Sequence, residues 1–170
     1  MLAAAQTSSR HPDTAGEVSA GYSIMRDSTP LTFNGIRFSV AKNLSESWAA
    51  VVEAGREFNG GGAYPVLPGG RAIKYTDTTL LAGIRLRRFD GSSTAPFFQV
   101  LGGYFGRSNN LNTPPGKANF AVRAEGGLDV RVANHIAFRF GGGWTFLDGG
   151  VRYLNQISAN AGLTYLFGKR

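Results

Sequence analysis

The sequence contains no cysteine and only two histidines, His11 and His135. The absence of cysteine excludes disulfide scaffolds, thiol catalysis and cysteine-ligated zinc sites. No cluster of residues has the spacing of a metal site either. We therefore expect neither a metal centre nor a cofactor, and we identify no catalytic residues.

Long apolar runs are also missing, although a membrane-spanning helix needs about 20 consecutive apolar residues. Charged residues make up only 17% of the 170 residues, which is low for a soluble domain. Apolar residues make up 42%, and they recur at every second position. Such a chain enters a bilayer only as a closed β-barrel, because closure leaves no backbone group unpaired in lipid.

Residues 1–15 are polar or small and predict a flexible N-terminal tail, and residues 16–170 predict a single barrel domain. Within that domain, eight segments alternate between apolar and polar or small residues. They are Glu17–Ile24, Ile36–Ala41, Trp48–Glu57, Leu80–Arg87, Phe98–Tyr104, Phe120–Arg131, Ile136–Thr145 and Ile157–Phe167. The predicted fold class is all-β, an eight-stranded antiparallel up-and-down transmembrane β-barrel.

The connectors between these segments differ in length and composition. Those after the second, fourth and sixth segments are short. The others are longer and richer in glycine, proline or asparagine, and they comprise Arg26–Asn34, Asn59–Lys74, Arg107–Lys117 and Leu147–Arg152. Outer-membrane barrels have short periplasmic turns and longer external loops. This asymmetry predicts a bacterial outer-membrane location with both termini periplasmic.

Alternation alone does not say whether the apolar face meets lipid or forms the core of a soluble, lipocalin-like ligand binder. Two features favour lipid. The polar face carries too few charges for a soluble exterior. Several aromatic residues also lie near the ends of the apolar face, where interfacial girdles are expected. The predicted girdle comprises Tyr22, Trp48, Tyr104, Trp144, Tyr165 and Phe167.

The opposite face carries charges of both signs that point into the predicted lumen. The arginines are Arg37, Arg85, Arg87, Arg123, Arg131 and Arg139, and the acids are Glu17, Glu53, Glu125 and Asp129. Unpaired charge in so narrow a space is costly, so we expect these residues to form an ion-paired plug. A small pore-forming, porin-like channel with a solvated lumen is the alternative.

The pattern resembles the OmpA/OmpX-like family of eight-stranded outer-membrane barrels over about residues 16–168. Besides strand count and loop asymmetry, the likeness rests on a first strand that reads Val18-Ser19-Ala20-Gly21-Tyr22. It also rests on a last strand that runs from Ser158 through Tyr165 to Gly168. The resemblance implies a structural or surface-interaction role in the cell envelope.

Some similar barrels are enzymes that modify lipid A, which is the rival function from another class. Such an enzyme needs a base and a nucleophile. His11 falls in the tail and His135 in a predicted periplasmic turn, away from the outer leaflet. Glu53, Glu125 and Asp129 lie among arginines, so ion pairing is the simpler interpretation. We therefore expect a protein that is not an enzyme.

A net charge of +7 raises the question of an anionic partner. The arginines are scattered through the alternating segments rather than gathered in one stripe, which argues against nucleic acid. The expected partner is outer-membrane lipid. Lipopolysaccharide phosphates are a further candidate, contacted by the loop residues Arg71, Lys74, Arg107 and Lys117.

Overall fold

A computed structural model describes residues 14–28, 31–59, 73–88, 93–110, 119–148 and 153–168. These residues form eight strands, each paired antiparallel with its neighbours in a closed barrel. The strands are β1 Gly16–Asp27, β2 Thr32–Asn43, β3 Trp48–Phe58, β4 Tyr75–Arg87, β5 Thr94–Asn109, β6 Asn119–Ala133, β7 Ile136–Asp148 and β8 Tyr153–Phe167. The predicted fold class is confirmed. In the part of the chain described, no helix is long and apolar enough to span a bilayer.

Closure depends on the pairing of the first and last strands. Their register runs from Gly16 opposite Phe167 to Asp27 opposite Gln156. Because β1 and β8 pair along their whole common length, neither leaves an open edge. The barrel therefore satisfies its backbone hydrogen bonds internally, as a structure in lipid must.

The apolar face points outward. Phe138 and Phe140 are 43% and 50% exposed, and Val52 in the middle of β3 is 53% exposed. A soluble barrel would bury these side chains, because exposing them to water costs about 1.5–3 kcal/mol each. The lipocalin-like alternative is therefore wrong, and the exposed band matches the hydrocarbon-facing surface of a transmembrane barrel.

Several strands run further than the sequence predicted. The predicted turn Arg26–Asn34 is mostly strand, since Arg26 pairs with Thr32 and Met25 with Phe33. Met25 and Phe33 are fully buried and pack with Leu31 and Tyr75. Their burial holds the strand ends together despite the turn-forming residues nearby.

The expected loop asymmetry holds at two of four positions. Residues 59–74 and 110–118 connect their strands by long segments at one end of the barrel, here called the loop end. The connections at residues 28–31 and 149–152 are as short as the turn at residues 44–47, which lies at the opposite, turn end. The prediction of four longer loops was wrong, because β1, β2, β7 and β8 extend into the segments assigned to two of them.

Of the predicted tail, only Thr14 and Ala15 lie within the described residues, and both contact the barrel. The backbone N–H of Ala15 donates to Phe167 O over 3.0 Å, and Asn43 N donates to Ala15 O over 3.0 Å. The Asn43 side chain donates to Thr14 O at 2.7 Å. These bonds tie the start of β1 to both neighbouring strands.

Candidate functional site: the charged lumen

The inward-facing positions of the strands hold ionisable side chains at three levels along the barrel axis. We call them the turn-end cluster (Glu17, Arg85, Arg87, Asp129 and Arg139), the central cluster (Arg37, Glu53, Glu57, Arg123 and Glu125) and the loop-end cluster (Asp27, Asp77 and Arg107). Successive strand residues face opposite sides of the sheet. Strict alternation therefore places all of these side chains inside while the apolar residues between them face out.

The turn-end cluster is centred on Glu17, the second residue of β1. Its carboxylate accepts hydrogen bonds from Arg85 and Arg87 of β4 and from Arg139 Nη2 at 2.8 Å. Arg139 also binds Asp129 through two hydrogen bonds of 2.7 and 2.8 Å. Such paired contacts between guanidinium and carboxylate groups are both stronger and more directional than single ones. The cluster thus connects β1, β4, β6 and β7 across the lumen.

In the central cluster, Arg37 binds two carboxylates from different strands. Its Nε donates to Glu57 Oε1 at 3.0 Å, and its Nη1 donates to Glu125 Oε2 at 3.3 Å. Arg123 is fully buried; it donates to Glu53 on the far side of the lumen and, at 3.0 Å, to Thr145. The central section is consequently crossed by side chains from β2, β3 and β6.

A glutamine joins these two clusters. Arg85 Nε donates to Gln99 Oε1 at 2.8 Å, and Gln99 Nε2 donates to Glu125 Oε1 at 3.4 Å. Gln99 is 1% exposed. The polar network is therefore continuous from the turn end to the middle of the barrel.

The loop-end cluster has one arginine between two buried acids. Arg107 binds Asp77 through two hydrogen bonds of 2.7 and 2.8 Å and Asp27 through one of 2.9 Å. Its guanidinium carbon lies 4.8 Å from the ring centroid of Phe33 and 5.8 Å from that of Phe105. A cation held against aromatic faces gains further electrostatic attraction. Gln156 also donates to Asp77, at 3.1 Å.

Small residues on the inner wall make room for the long side chains. A Cβ at Gly55 would lie 2.6 Å from Thr79 Oγ1 and 3.5 Å from Arg37 Cγ. A Cβ at Gly141 would lie 3.1 Å from Glu125 Oε1. Because an eight-stranded lumen is only wide enough for side chains to fill it, glycine on one strand accommodates arginine from another.

The structure brings together nine of the ten charges expected in the lumen. They are all buried inside the barrel, namely Glu17, Arg37, Glu53, Arg85, Arg87, Arg123, Glu125, Asp129 and Arg139. Arg131 is instead only half-buried near the turn end of β6, beside the register irregularity between Arg131 and Ala133.

Sequence reasoning missed three inward charges, namely Asp27, Asp77 and Arg107. It placed Glu57 on the polar face of the third segment but left it out of the lumen network. Arg107 was expected in an external loop, whereas it lies inside the barrel within β5. The alternation of inward and outward positions along β4 and β5 already indicated that Asp77 and Arg107 point inward. Asp77 shares the inward parity of Arg85, and Arg107 that of Gln99. Both were overlooked because the strands were predicted to end too early.

The residues of the predicted aromatic girdle are all exposed on the outer face. Trp48, Tyr165 and Phe167 lie at the turn end, and Tyr104 and Trp144 lie in the loop-end halves of their strands. Tyr22 lies in the middle of β1, where it pairs with Ile36 and Ala161. Five of the six positions thus suit an interfacial aromatic belt, and Tyr22 lies at mid-barrel height.

His135 lies in the short turn between β6 and β7 and contacts the backbone of β8. His135 Nδ1 donates to the Leu166 carbonyl oxygen at 3.0 Å. Lys74 is exposed, whereas His11, Arg71 and Lys117 lie outside the described residues. Within the described ranges, no three His, Cys, Asp or Glu side chains are arranged to hold a metal ion.

No protein-family model and no curated protein sequence matches the chain. Solved structures do match it. Neisserial surface protein A aligns with a TM-score of 0.72 at 13% identity, over 91% of this chain and 98% of that one. Ail of Yersinia pestis aligns with a TM-score of 0.63 at 12% identity, over 91% and 99%. OprG of Pseudomonas aeruginosa aligns with a TM-score of 0.61 at 11% identity, over 94% and 98%.

These structural neighbours are eight-stranded outer-membrane β-barrels. They confirm the resemblance to OmpA/OmpX-like barrels at the level of the fold. At such low identity the likeness carries no information on ligands or roles.

Proposed function

We propose that this chain is a bacterial outer-membrane barrel with a structural or surface-interaction role, whose lumen is plugged by its own charged side chains. The observation that carries the proposal is the stack of three ion-paired clusters inside a barrel with an apolar exterior. In this proposal the loop end faces the cell exterior and both termini are periplasmic, with residues 1–15 as a tail.

The plug follows from the pairing of the buried charges. Arg85, Arg123 and Glu57 are each at most 1% exposed, and each has a partner of opposite sign within the lumen. Removing one partner of a buried ion pair costs about 3–5 kcal/mol. An ion passing through would have to separate such pairs at successive levels. The barrel is therefore expected to be closed in its resting state.

Planar-bilayer recording tests the plug. We expect purified, folded protein to insert without a steady conductance. The substitutions Arg37→Ala and Arg123→Ala shorten the two arginines that cross the central section. Combined with Arg107→Met, which disrupts the neighbouring loop-end cluster, they should produce measurable current. Steady ohmic conductance from the unmodified protein would instead establish the small-pore alternative. A heat-dependent shift in gel mobility verifies that each sample is folded.

The outer surface supports lipid phosphate as a partner. On β1, β2 and β3 the outward charges are all cationic, namely Arg26, Lys42 and Arg56. Arg26 and Arg56 lie near the loop ends of β1 and β3, separated only by β2, which corresponds to roughly 10 Å between strands. Arginine binds phosphate through paired hydrogen bonds. We propose that these two side chains contact lipopolysaccharide phosphates in the outer leaflet.

Two variants separate this contact from general charge effects. Arg26→Gln with Arg56→Gln should reduce the lipopolysaccharide that co-purifies with the barrel, whereas Lys42→Gln, at the turn end, should leave it unchanged. The Ail barrel has been crystallised with the heparin analogue sucrose octasulfate, so a polyanion has been seen on that protein. Equal retention of lipopolysaccharide by all three proteins would contradict the proposed contact.

The proposal assigns no catalytic role. Glu53 and Asp129, considered above as acid or base, are held by Arg123 and Arg139. His135 lies at the turn end and is hydrogen-bonded to the backbone. Mass spectrometry of lipid A from cells that express the barrel should show no change. A new acylation, deacylation or phosphate loss that depends on the barrel would overturn this assignment.

A further inference from the structure

The apolar band on the outside of the barrel is not equally tall on all sides. On β2 its outward residues are Ile36, Phe38 and Val40, and the polar residues Asn34 and Lys42 flank them. Each residue of a tilted barrel strand adds about 2.5 Å of height. The eight steps from Asn34 to Lys42 therefore correspond to about 20 Å, and the apolar side chains between them cover less.

The opposite side of the barrel has a taller band. On β5 the fourteen steps from Thr94 to Ser108 correspond to about 35 Å. The outward positions between them hold only apolar residues and glycine, namely Pro96, Phe98, Val100, Gly102, Tyr104 and Gly106. On β8, six apolar outward residues follow Asn155, from Ile157 to Phe167. We call the outward residues of β1–β4 the short face and those of β5–β8 the tall face.

Tilting the barrel in the membrane would not equalise the two faces. A tilt moves both ends of a band in the same direction, so each band keeps its height. On β2 the band is bounded at both ends, by Asn34 toward the loop end and by Lys42 toward the turn end. Long cationic side chains extend their charge toward the interface. Arg56 does so, since its guanidinium carbon lies 5.4 Å from the ring centroid of Phe58, nearer the loop end. Asn34 is too short for this.

Tyr22 is the one residue of the predicted aromatic girdle at mid-barrel height, and it lies on the short face. It pairs with Ile36, which is only two residues from Asn34 along β2. Tyrosine is enriched where its ring meets hydrocarbon and its hydroxyl meets the polar interface. A lower interface beside β1 and β2 would therefore account for a tyrosine at this height.

We propose that the barrel thins the bilayer beside β2 and β3, where the short face takes lipid with shorter acyl chains than the tall face takes. The hydrocarbon core of a typical bilayer is about 30 Å thick, and a protein with a shorter apolar band thins the bilayer around it. The short face falls below that thickness, whereas the tall face matches it. This thinning requires only that the barrel spans a bilayer, and it depends neither on the plug nor on the lipopolysaccharide contact.

Spin labels measure the depth of each face directly. The chain contains no cysteine, so a single introduced cysteine is labelled specifically. Phe38→Cys lies in the middle of the β2 band and Val100→Cys in the middle of the β5 band. Collision of the label with oxygen and with a water-soluble nickel complex gives its depth in phosphatidylcholine vesicles. Because each leaflet takes half of the height difference, the label on β2 should be shallower by about 5–7 Å. Equal depths would overturn the proposal.

Lengthening the short band provides a second measurement. Asn34→Leu with Lys42→Leu extends the β2 band at both ends and should move the label on the Phe38→Cys variant deeper. Thr94→Leu with Ser108→Leu makes the same exchange beyond the tall band and should leave the depth of the β5 label unchanged. A heat-dependent gel shift verifies that each variant is folded. An unchanged depth on β2 in the folded, lengthened variant contradicts the proposal. These vesicles contain no lipopolysaccharide, so a failure of the proposed phosphate contact would leave both results readable.

Discussion

Replacing Arg107 by methionine would remove the only cation of the loop-end cluster while keeping much of the side-chain volume. Three hydrogen bonds of 2.7 to 2.9 Å would be lost. The side chains of Asp27 and Asp77, both 0% exposed, would then lose the guanidinium group that binds both of them. We expect a loss of about 3–5 kcal/mol in the free energy of unfolding, the usual cost of breaking a buried ion pair.

A matched control lies on the outside of the same end. Arg56 also contacts an aromatic ring, 5.4 Å from the Phe58 centroid, but its side chain is exposed. Arg56→Met should change the free energy of unfolding by less than about 1 kcal/mol, because exposed charges contribute little. Urea titration in detergent or lipid vesicles, followed by gel mobility, measures both variants on one scale.

A third variant separates loss of pairing from loss of packing. Adding Asp27→Asn and Asp77→Asn to Arg107→Met neutralises the acids that the single substitution leaves exposed to each other. Most of the lost stability should return, since replacing a whole buried ion cluster is often close to neutral. The reasoning is refuted if Arg107→Met costs no more than Arg56→Met, or if the triple variant is less stable than the single one.

Three further predictions use the same urea titration. Gly55→Val should cost about 1–3 kcal/mol because its Cβ would crowd Thr79 at 2.6 Å, whereas Gly142→Val, on the outer face, should be nearly neutral. Val52→Arg, at an exposed outward position in mid-barrel, should cost about 2–4 kcal/mol in lipid, while Leu44→Arg in the short turn should cost less than about 1 kcal/mol. A double-mutant cycle of Arg123→Met and Glu53→Gln should give a coupling energy above about 1 kcal/mol, and additivity would contradict a direct buried contact.

The direction of each side chain was predictable from the sequence because it depends only on parity within a strand. Arg85 and Arg139 alternate with apolar neighbours and therefore point inward wherever the strand begins. Strand ends were less predictable. Asp27 follows a correctly assigned strand, yet nearby Pro30 and Asn34 suggested a turn. What extends β1 and β2 is the burial of Met25 and Phe33 inside the barrel, a tertiary contact that local sequence does not display.

The choice of ion-pair partners was not predictable. Glu17 on β1 binds Arg85 on β4 and Arg139 on β7, and none of these strands are neighbours. Such contacts cross the lumen, so they depend on the tilt and stagger of the whole barrel rather than on any one hairpin. The sequence predicted that charges of both signs share the interior, but the arrangement into three levels required the closed structure.

Because the charges form three clusters along the barrel axis, a substitution in one cluster should lower the free energy of unfolding without opening a conducting path. The three clusters lie in series along the barrel axis, so an ion that passes one level still meets the next. Loss of Arg107 leaves the turn-end contacts of Arg139 with Glu17 and Asp129 in place. Arg107→Met should therefore lower the free energy of unfolding without opening a steady current. Conductance should appear only when the central arginines are shortened and a neighbouring level loosens. A single-cluster variant that is fully stable yet conducts would show that these levels do not act in series.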